Sequence, residues 1–305
     1  MDINQRITEE LGVKRWQVDA AIKLIDEGNT IPFIARYRKE ATGTLDDEQL
    51  RRLHERLQYL RGLEEKKEQV LSSIEEQGKL TEELKKQILE AETMVVVEDL
   101  YRPYRPKRRT RATIAKEKGL EGLAALITLQ NLNMSLEEAA QEYVNPEKEV
   151  KNAEEAIAGA KDIIAEMASD DPAVRQKIRS SMERYGRLTT KEKKKHTDEK
   201  KVYKMYYDYS ERVTTLASHR IMAIDRGEKE KVLAVSIEFD KEYIIDWTNR
   251  RFTKKRQSPC VEYIEEAVQD GLKRLAFPAV EREIRSQRSE KDNEPSIEGF
   301  SLKLE

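Results

Sequence analysis

Cysteine is almost missing from this chain: Cys260 stands alone among 305 residues. A single thiol excludes an internal disulfide and any multi-cysteine metal site. Histidine is nearly as scarce. His54, His196 and His219 lie far apart in sequence, and no His, Cys, Asp and Glu residues fall at metal-ligand spacing. No Gly-x-x-x-x-Gly-Lys phosphate loop, Gly-x-Gly-x-x-Gly turn or Gly-x-Ser-x-Gly elbow is present. Ser218 and His219 are adjacent, so on a helix their side chains diverge and cannot form a nucleophile–base pair. Long apolar runs are absent too: Met94-Val-Val-Val97 is far too short to span a bilayer. The start, Met1-Asp-Ile-Asn-Gln, is polar and acidic, unlike a signal peptide. These absences lead us to expect a cytoplasmic protein with no membrane partner, no cofactor, no metal and no catalytic activity.

Charge, by contrast, is plentiful. Charged residues make up 38% of the chain and hydrophobic ones another 38%, yet the formal net charge is only −2. Any binding to a polyanion must therefore come from local patches. Apolar residues recur at spacings of three and four nearly throughout, which predicts a mainly α protein with at most a minor β element. We expect an elongated multi-helix scaffold of helical hairpins, with more than half of its residues helical.

Two short helices joined at Gly12 give the N-terminus a helix-turn-helix-like character, with Trp16, Ala20, Ile22, Leu24 and Ile25 carried by the second. Ile31, Phe33 and Ile34 read as buried, ahead of a basic tip at Arg36, Arg38 and Lys39. Residues 46–77 form one long pattern through Leu50, Leu53, Leu57, Leu60, Leu63, Val70, Leu71 and Ile74, ended by Gly78. Thr81-Glu-Glu opens the next helix, so an αα-hairpin is expected. The spacing also predicts helices over 202–216 and 259–275, the latter capped by Ser258, and a strand over 232–239. The polar stretch 187–204 reads as a hinge, or an exposed strand and loop.

Three basic segments interrupt this scaffold. The first runs from Arg102 to Lys118, with Lys or Arg at 102, 105, 107, 108, 109, 111, 116 and 118 against Glu117 alone. Pro103 and Pro106 exclude helix interior and stiffen an extended loop, while Tyr101 and Tyr104 interleave flat rings. Such a combination suits single-stranded nucleic acid. A lysine-rich stretch over 191–204 is the second. Arg250, Arg251, Lys254, Lys255 and Arg256 form the third, beside Trp247 and Phe252. Candidate phosphate contacts are therefore Arg102, Arg105, Lys107, Arg108, Arg109, Arg111, Arg250, Arg251, Lys254, Lys255 and Arg256, with Tyr101 or Tyr104 available to stack a base. The competing account is a solvated face, or arginines paired with acids on adjacent helices.

Several longer motifs carry a family resemblance. Ile31-Pro-Phe-Ile-Ala-Arg-Tyr-Arg-Lys-Glu40 with Thr42-Gly43, Gln77-Gly-Lys-Leu-Thr81, and Glu98-Asp-Leu-Tyr-Arg-Pro-Tyr-Arg-Pro-Lys-Arg-Arg-Thr-Arg-Ala112 resemble the N-terminal region of the bacterial Tex family of transcription accessory proteins. Ser218-His-Arg220, Arg226-Gly-Glu228 and Glu281-Arg-Glu-Ile-Arg285 are similar to that family's central helical region. The resemblance covers roughly residues 1–288. It implies an N-terminal helical domain over 1–185, then part of the central region over 186–305. It also implies a helical scaffold acting in RNA or nucleic-acid transactions.

Tex proteins continue into an RNase-H-like domain, a helix-hairpin-helix module and an OB-fold RNA-binding domain, none of which is in this sequence. Residues 289–305 depart from the family pattern. We therefore expect a fragment of a longer protein, truncated before the RNase-H-like domain. Its own basic patches would bind RNA or single-stranded nucleic acid weakly and with strong salt dependence. The alternative is a protein-interaction scaffold docking to RNA polymerase or ribosome-associated proteins without touching nucleic acid.

Overall fold

The computed structural model describes residues 2–106, 109–132, 134–193, 201–254 and 257–290. Helices make up well over half of them, as the apolar spacing predicts. The chain divides into two compact units, Met1–Tyr104 and Arg105–Glu305. This division precedes residue 186, where the sequence changes texture; that change marks the start of a sheet inside the second unit.

Unit 1 is all helical. Its elements are α1 (Ile3–Leu11), α2 (Arg15–Asp26), α3 (Ile31–Tyr37), α4 (Asp47–Glu76), α5 (Glu82–Glu90) and α6 (Met94–Tyr101), followed by a 3₁₀ turn at Arg102–Tyr104. Caps set the breaks. The Asp2, Asp46, Thr81 and Thr93 side chains each accept a backbone N–H of the following first turn. Gly12 and Gly78 end α1 and the α4 region with φ of 66°, a left-handed conformation that glycine adopts without strain.

The spine is α4. Leu50, Leu53, Leu57, Leu60, Leu63, Val70 and Ile74 form its buried stripe, against which α1, α3 and α6 pack. Lys67 continues the stripe. Its ammonium is buried but donates to the Leu89 carbonyl at 2.8 Å and pairs with Glu64 at 2.9 Å. Around this core, Arg56 grips Glu10 through two hydrogen bonds and Arg61 grips Asp26 in the same way. One apolar expectation fails here: Phe33 is 38% exposed. Trp16 on α2 is 51% exposed. Only Ile34 of the α3 trio is fully buried, because a seven-residue helix presents a single turn's worth of side chains to α4.

Unit 2 contains α7 (Arg111–Glu117), α8 (Glu121–Leu129), α9 (Leu136–Gln141), α10 (Ala153–Asp170) and α11 (Pro172–Tyr185). There follow β1 (Arg187–Glu192), β2 (Asp208–Arg212), α12 (Ser218–Lys229), β3 (Leu233–Glu238), α13 (Lys241–Phe252), α14 (Val261–Gly271) and α15 (Phe277–Glu290). At its centre is α10, whose alanines let α7, α8, α9 and α14 approach closely. Gly271 marks the tightest crossing: a Cβ there would lie 2.2 Å from the Ala165 carbonyl oxygen.

The sheet is antiparallel in the order β2-β1-β3, so the stretch read as hinge or exposed strand supplies the central strand. Thr189 and Thr190 are buried in it. The Thr189 hydroxyl donates to the Ser236 carbonyl and that of Thr190 to the Tyr206 carbonyl. The helix predicted over 202–216 is instead a 3₁₀ turn followed by β2, where Tyr209 and Glu211 point inward alternately. Period-2 burial and tyrosine's preference for a pleated surface override the helical reading.

Beyond α14 the helix runs on through a π-helical segment, Leu272–Ala276, into α15. Pro278 explains it: proline cannot donate to an α-helical partner, and the wider π turn absorbs the mismatch. Ser258 is not the N-cap as expected: Cys260 takes that position, and the Ser258 hydroxyl accepts from the Cys260 N–H at 3.3 Å.

Candidate nucleic-acid interface

The first basic segment straddles the division between the units, so its halves are described separately. In unit 1, Pro103 sits within the 3₁₀ turn, so this part of the loop is coiled where an extended chain was expected. Tyr101 and Tyr104 are half-buried against the core of that unit. The Tyr101 hydroxyl lies 3.0 Å from that of Ser73, and the Lys66 ammonium sits 5.9 Å from the ring centroid. The Tyr104 carbonyl accepts from the Gln77 side-chain amide at 3.0 Å. Packing therefore fixes both rings. Arg102 is half-buried beside them.

In unit 2, Arg105 and Arg109 are exposed. The guanidinium of Arg109 reaches Glu117 at 3.1 Å, a solvated pair of small energetic weight. Thr110 caps α7, so Arg111 becomes its first helical residue. Arg111 borders a groove of about 540 Å³ whose charged lining alternates: Lys118 and Lys151 face Glu149, Glu155 and Asp162. Burial raises the Asp162 carboxyl above its usual range, against the pull of Arg111 and Arg274. Lys107 and Arg108 lie outside the described residues.

The third segment ends α13. Arg250 and Arg251 occupy its last turn, where positive charge opposes the negative end of the helix dipole. Arg250 is exposed and pairs with no acid among the described residues. Arg251 has a structural duty: it binds Asp171 at 3.0 Å, whose other oxygen caps α11. Lys254 projects into solvent while its backbone N–H donates to Gln130 at 2.7 Å. Lys255, Arg256 and His196 lie outside the described residues. His54 is half-buried rather than solvated, with its Nε2 3.0 Å from the Gln58 amide.

The later motifs meet in space. Arg285 on α15 binds Asp225 and Glu228 on α12, the latter at 2.5 Å, and Glu281 lies one turn back at 3.9 Å. Glu283 faces the other way and binds buried Arg175 at 2.5 Å and Arg179 at 3.1 Å on α11. Arg220 binds Glu211 of β2 at 2.7 Å, whereas His219 is exposed. These residues knit α11, α12, α15 and the sheet together, a role that spacing alone did not reveal.

Burial pushes the Glu281 carboxyl above its ordinary value of 4.5, opposed by a backbone hydrogen bond and by Arg285. A raised folded-state pKa means that the fold holds this proton more tightly than the unfolded chain does. Its contribution to stability is complete below pH 4.5 and is lost as pH rises through the folded value. Glu281→Gln should therefore flatten the decline in stability between that pH and neutrality, as read by urea unfolding at stepped pH. Parallel profiles for the two proteins would show that Glu281 is not buried as described.

Among the described residues no His, Cys, Asp and Glu group could hold a metal ion, and no helix is long and apolar enough to cross a membrane. Comparison with known families decides the ancestry. The Tex-like protein N-terminal domain matches residues 1–75 and the Tex central region-like family matches residues 131–300, more than half of the chain.

The chain belongs to the Tex family.

Among curated Tex relatives, YdcI of Bacillus subtilis is 45% identical over 303 residues, covering 99% of this chain and 42% of its own length. The transcriptional accessory protein Tex of Neisseria gonorrhoeae is 43% identical over 239 residues, covering 78% of this chain and 31% of its own. Human S1 RNA-binding domain-containing protein 1 is 28% identical over 317 residues, covering 99% and 32% respectively. The chain thus spans about a third to two fifths of the length of these relatives.

Proposed function

We propose that this chain is the RNA-associated helical scaffold of a Tex-type transcription accessory protein, binding through basic segments and catalysing nothing. The carrying observation is the placement of cations. Arg105, Arg109, Arg250 and Lys254 are exposed on unit 2, and of these Arg250 and Lys254 pair with no acid among the described residues. Exposed cations at helix ends can neutralise phosphates without disturbing the fold. The names of two relatives, a transcriptional accessory protein and an S1 RNA-binding domain protein, support the same reading. A second reading, docking to acidic proteins of the transcription or translation machinery, is favoured by Arg109 and Arg251, which already hold carboxylates.

Binding of a fluorescent single-stranded RNA, followed by anisotropy at stepped salt, separates the two. The scaffold should bind weakly, with an affinity that falls steeply as salt rises and depends little on sequence. It should leave the RNA intact with or without magnesium. Absence of binding at low salt would remove the nucleic-acid reading. Cleavage abolished by a single carboxylate substitution would remove the claim of inertness.

A further inference from the structure

The basic tip after α3 is used by nothing above, and the structure makes it unusual. Tyr37 is 65% exposed, and its ring lies 5.3 Å from that of Phe33, which is itself partly open to solvent. The Arg38 guanidinium stands 6.0 Å from the Phe33 centroid. Arg36, Arg38 and Lys39 are exposed, and none pairs with an acid among the described residues. Elsewhere in the unit, Arg6, Arg15, Arg56 and Arg61 each hold a carboxylate. Asp46 caps α4 and Asp47 pairs with Arg51, while Glu40 and Glu48 are exposed.

Trp16 joins this surface through the loop. Gly43 has φ of 61°, and a Cβ there would fall 2.3 Å from the Trp16 ring. Glycine thus lets the indole edge seat against the loop while half of the side chain stays in water. The loop is rigidly built. The Gln17 amide donates to the Gly43 carbonyl at 2.8 Å, buried Thr42 donates to the Arg38 and Lys39 carbonyls, and the Thr44 N–H donates to the Lys39 carbonyl at 2.8 Å.

Aromatic faces held open beside unpaired cations match unpaired bases strung on phosphates. We propose that the tip of α3, with Trp16, is a single-stranded nucleic-acid site in which Tyr37 and Trp16 stack bases and Arg36, Arg38 and Lys39 hold phosphates. It belongs to unit 1 and is tested independently of the unit 2 cations. A purely apolar partner would not account for three unpaired cations. A folded duplex would hide the base faces that the rings require.

Trp16 supplies its own readout. In a Trp247→Phe protein the remaining indole is Trp16, and titration with a single-stranded 12-mer of uridine should quench it. An RNA duplex of equal length should not. Tyr37→Ala should weaken the single strand by roughly 5- to 100-fold, the loss of one stacked base. Tyr37→Phe should restore affinity, which a loss of fold would not permit. Arg36, Arg38 and Lys39 changed together to Ala should reduce the salt slope by about two. Quenching that survives alanines at Lys107, Arg108, Arg109 and Arg111 would uphold this site whatever the fate of the first basic segment. Anisotropy showing RNA bound with Trp16 emission unchanged and Tyr37→Ala neutral would overturn it, leaving the unit 2 cations as the binding surface. Equal quenching by duplex would overturn the stacking role, and no binding by either readout would overturn both proposals.

Discussion

Leu57→Asp should unfold the first unit under conditions in which the parent is stable. Leu57 is 2% exposed at the middle of the α4 stripe, between Leu53 and Leu60 on the same face. Truncating a buried leucine costs about 2–5 kcal/mol. Aspartate adds the penalty of placing an unpaired carboxylate among α1, α3 and α6 side chains, which offer no cation at that depth. Total stabilities of domains this size are only about 5–15 kcal/mol, so the substitution removes most of it. The measurement is helical circular dichroism during heating. An unchanged melting curve would mean that the stripe faces solvent and that α4 is not the spine of the unit.

Removing Glu283 should be nearly as damaging to unit 2. This one carboxylate serves two buried guanidiniums, with the Arg175 side chain at 0% and that of Arg179 at 6% exposure. Glu283→Ala strips both of their shared counter-charge, a change that costs about 3–5 kcal/mol when an ion pair is buried. Glu283→Gln keeps the shape and one acceptor and should cost less. Urea unfolding of the three proteins checks the order: parent, then Gln, then Ala. Equal stabilities would show that α11 and α15 are held by apolar packing alone, through Ile178, Val280 and Ile284.

These two substitutions mark how far the sequence could be read. The α4 stripe was legible because its leucines recur at helical spacing over many turns and its ends carry unmistakable caps. The knot around Glu283 and Arg285 was not. Its members lie on α11, α12 and α15, and spacing along one helix says nothing of partners 60 or 108 residues away. The motif Glu281-Arg-Glu-Ile-Arg285 entered through family resemblance, and only the structure gave Glu281, Glu283 and Arg285 their partners.

The strand over 232–239 was read correctly as β3, but the central strand was missed for a related reason. Leu188-Thr-Thr-Lys191 is too polar to announce a central strand, because threonine hydroxyls find backbone carbonyls inside the sheet. The candidate interface was legible as charge but not as geometry. Composition placed cations at Arg109 and Arg251 without showing that each holds an acid. The apolar pattern also assigned Phe33 to the core, where a short α3 leaves it partly open.

The central claim, that the first basic segment meets phosphates rather than bracing helices, is tested most directly on one variant. Lys107, Arg108, Arg109 and Arg111 changed together to alanine should leave the melting temperature where it was. The slope of log affinity for single-stranded RNA against log salt should flatten by about three, since each phosphate contact contributes roughly 0.7. A variant that melts earlier yet binds RNA with the parent's salt slope would contradict the account and make these cations part of the scaffold.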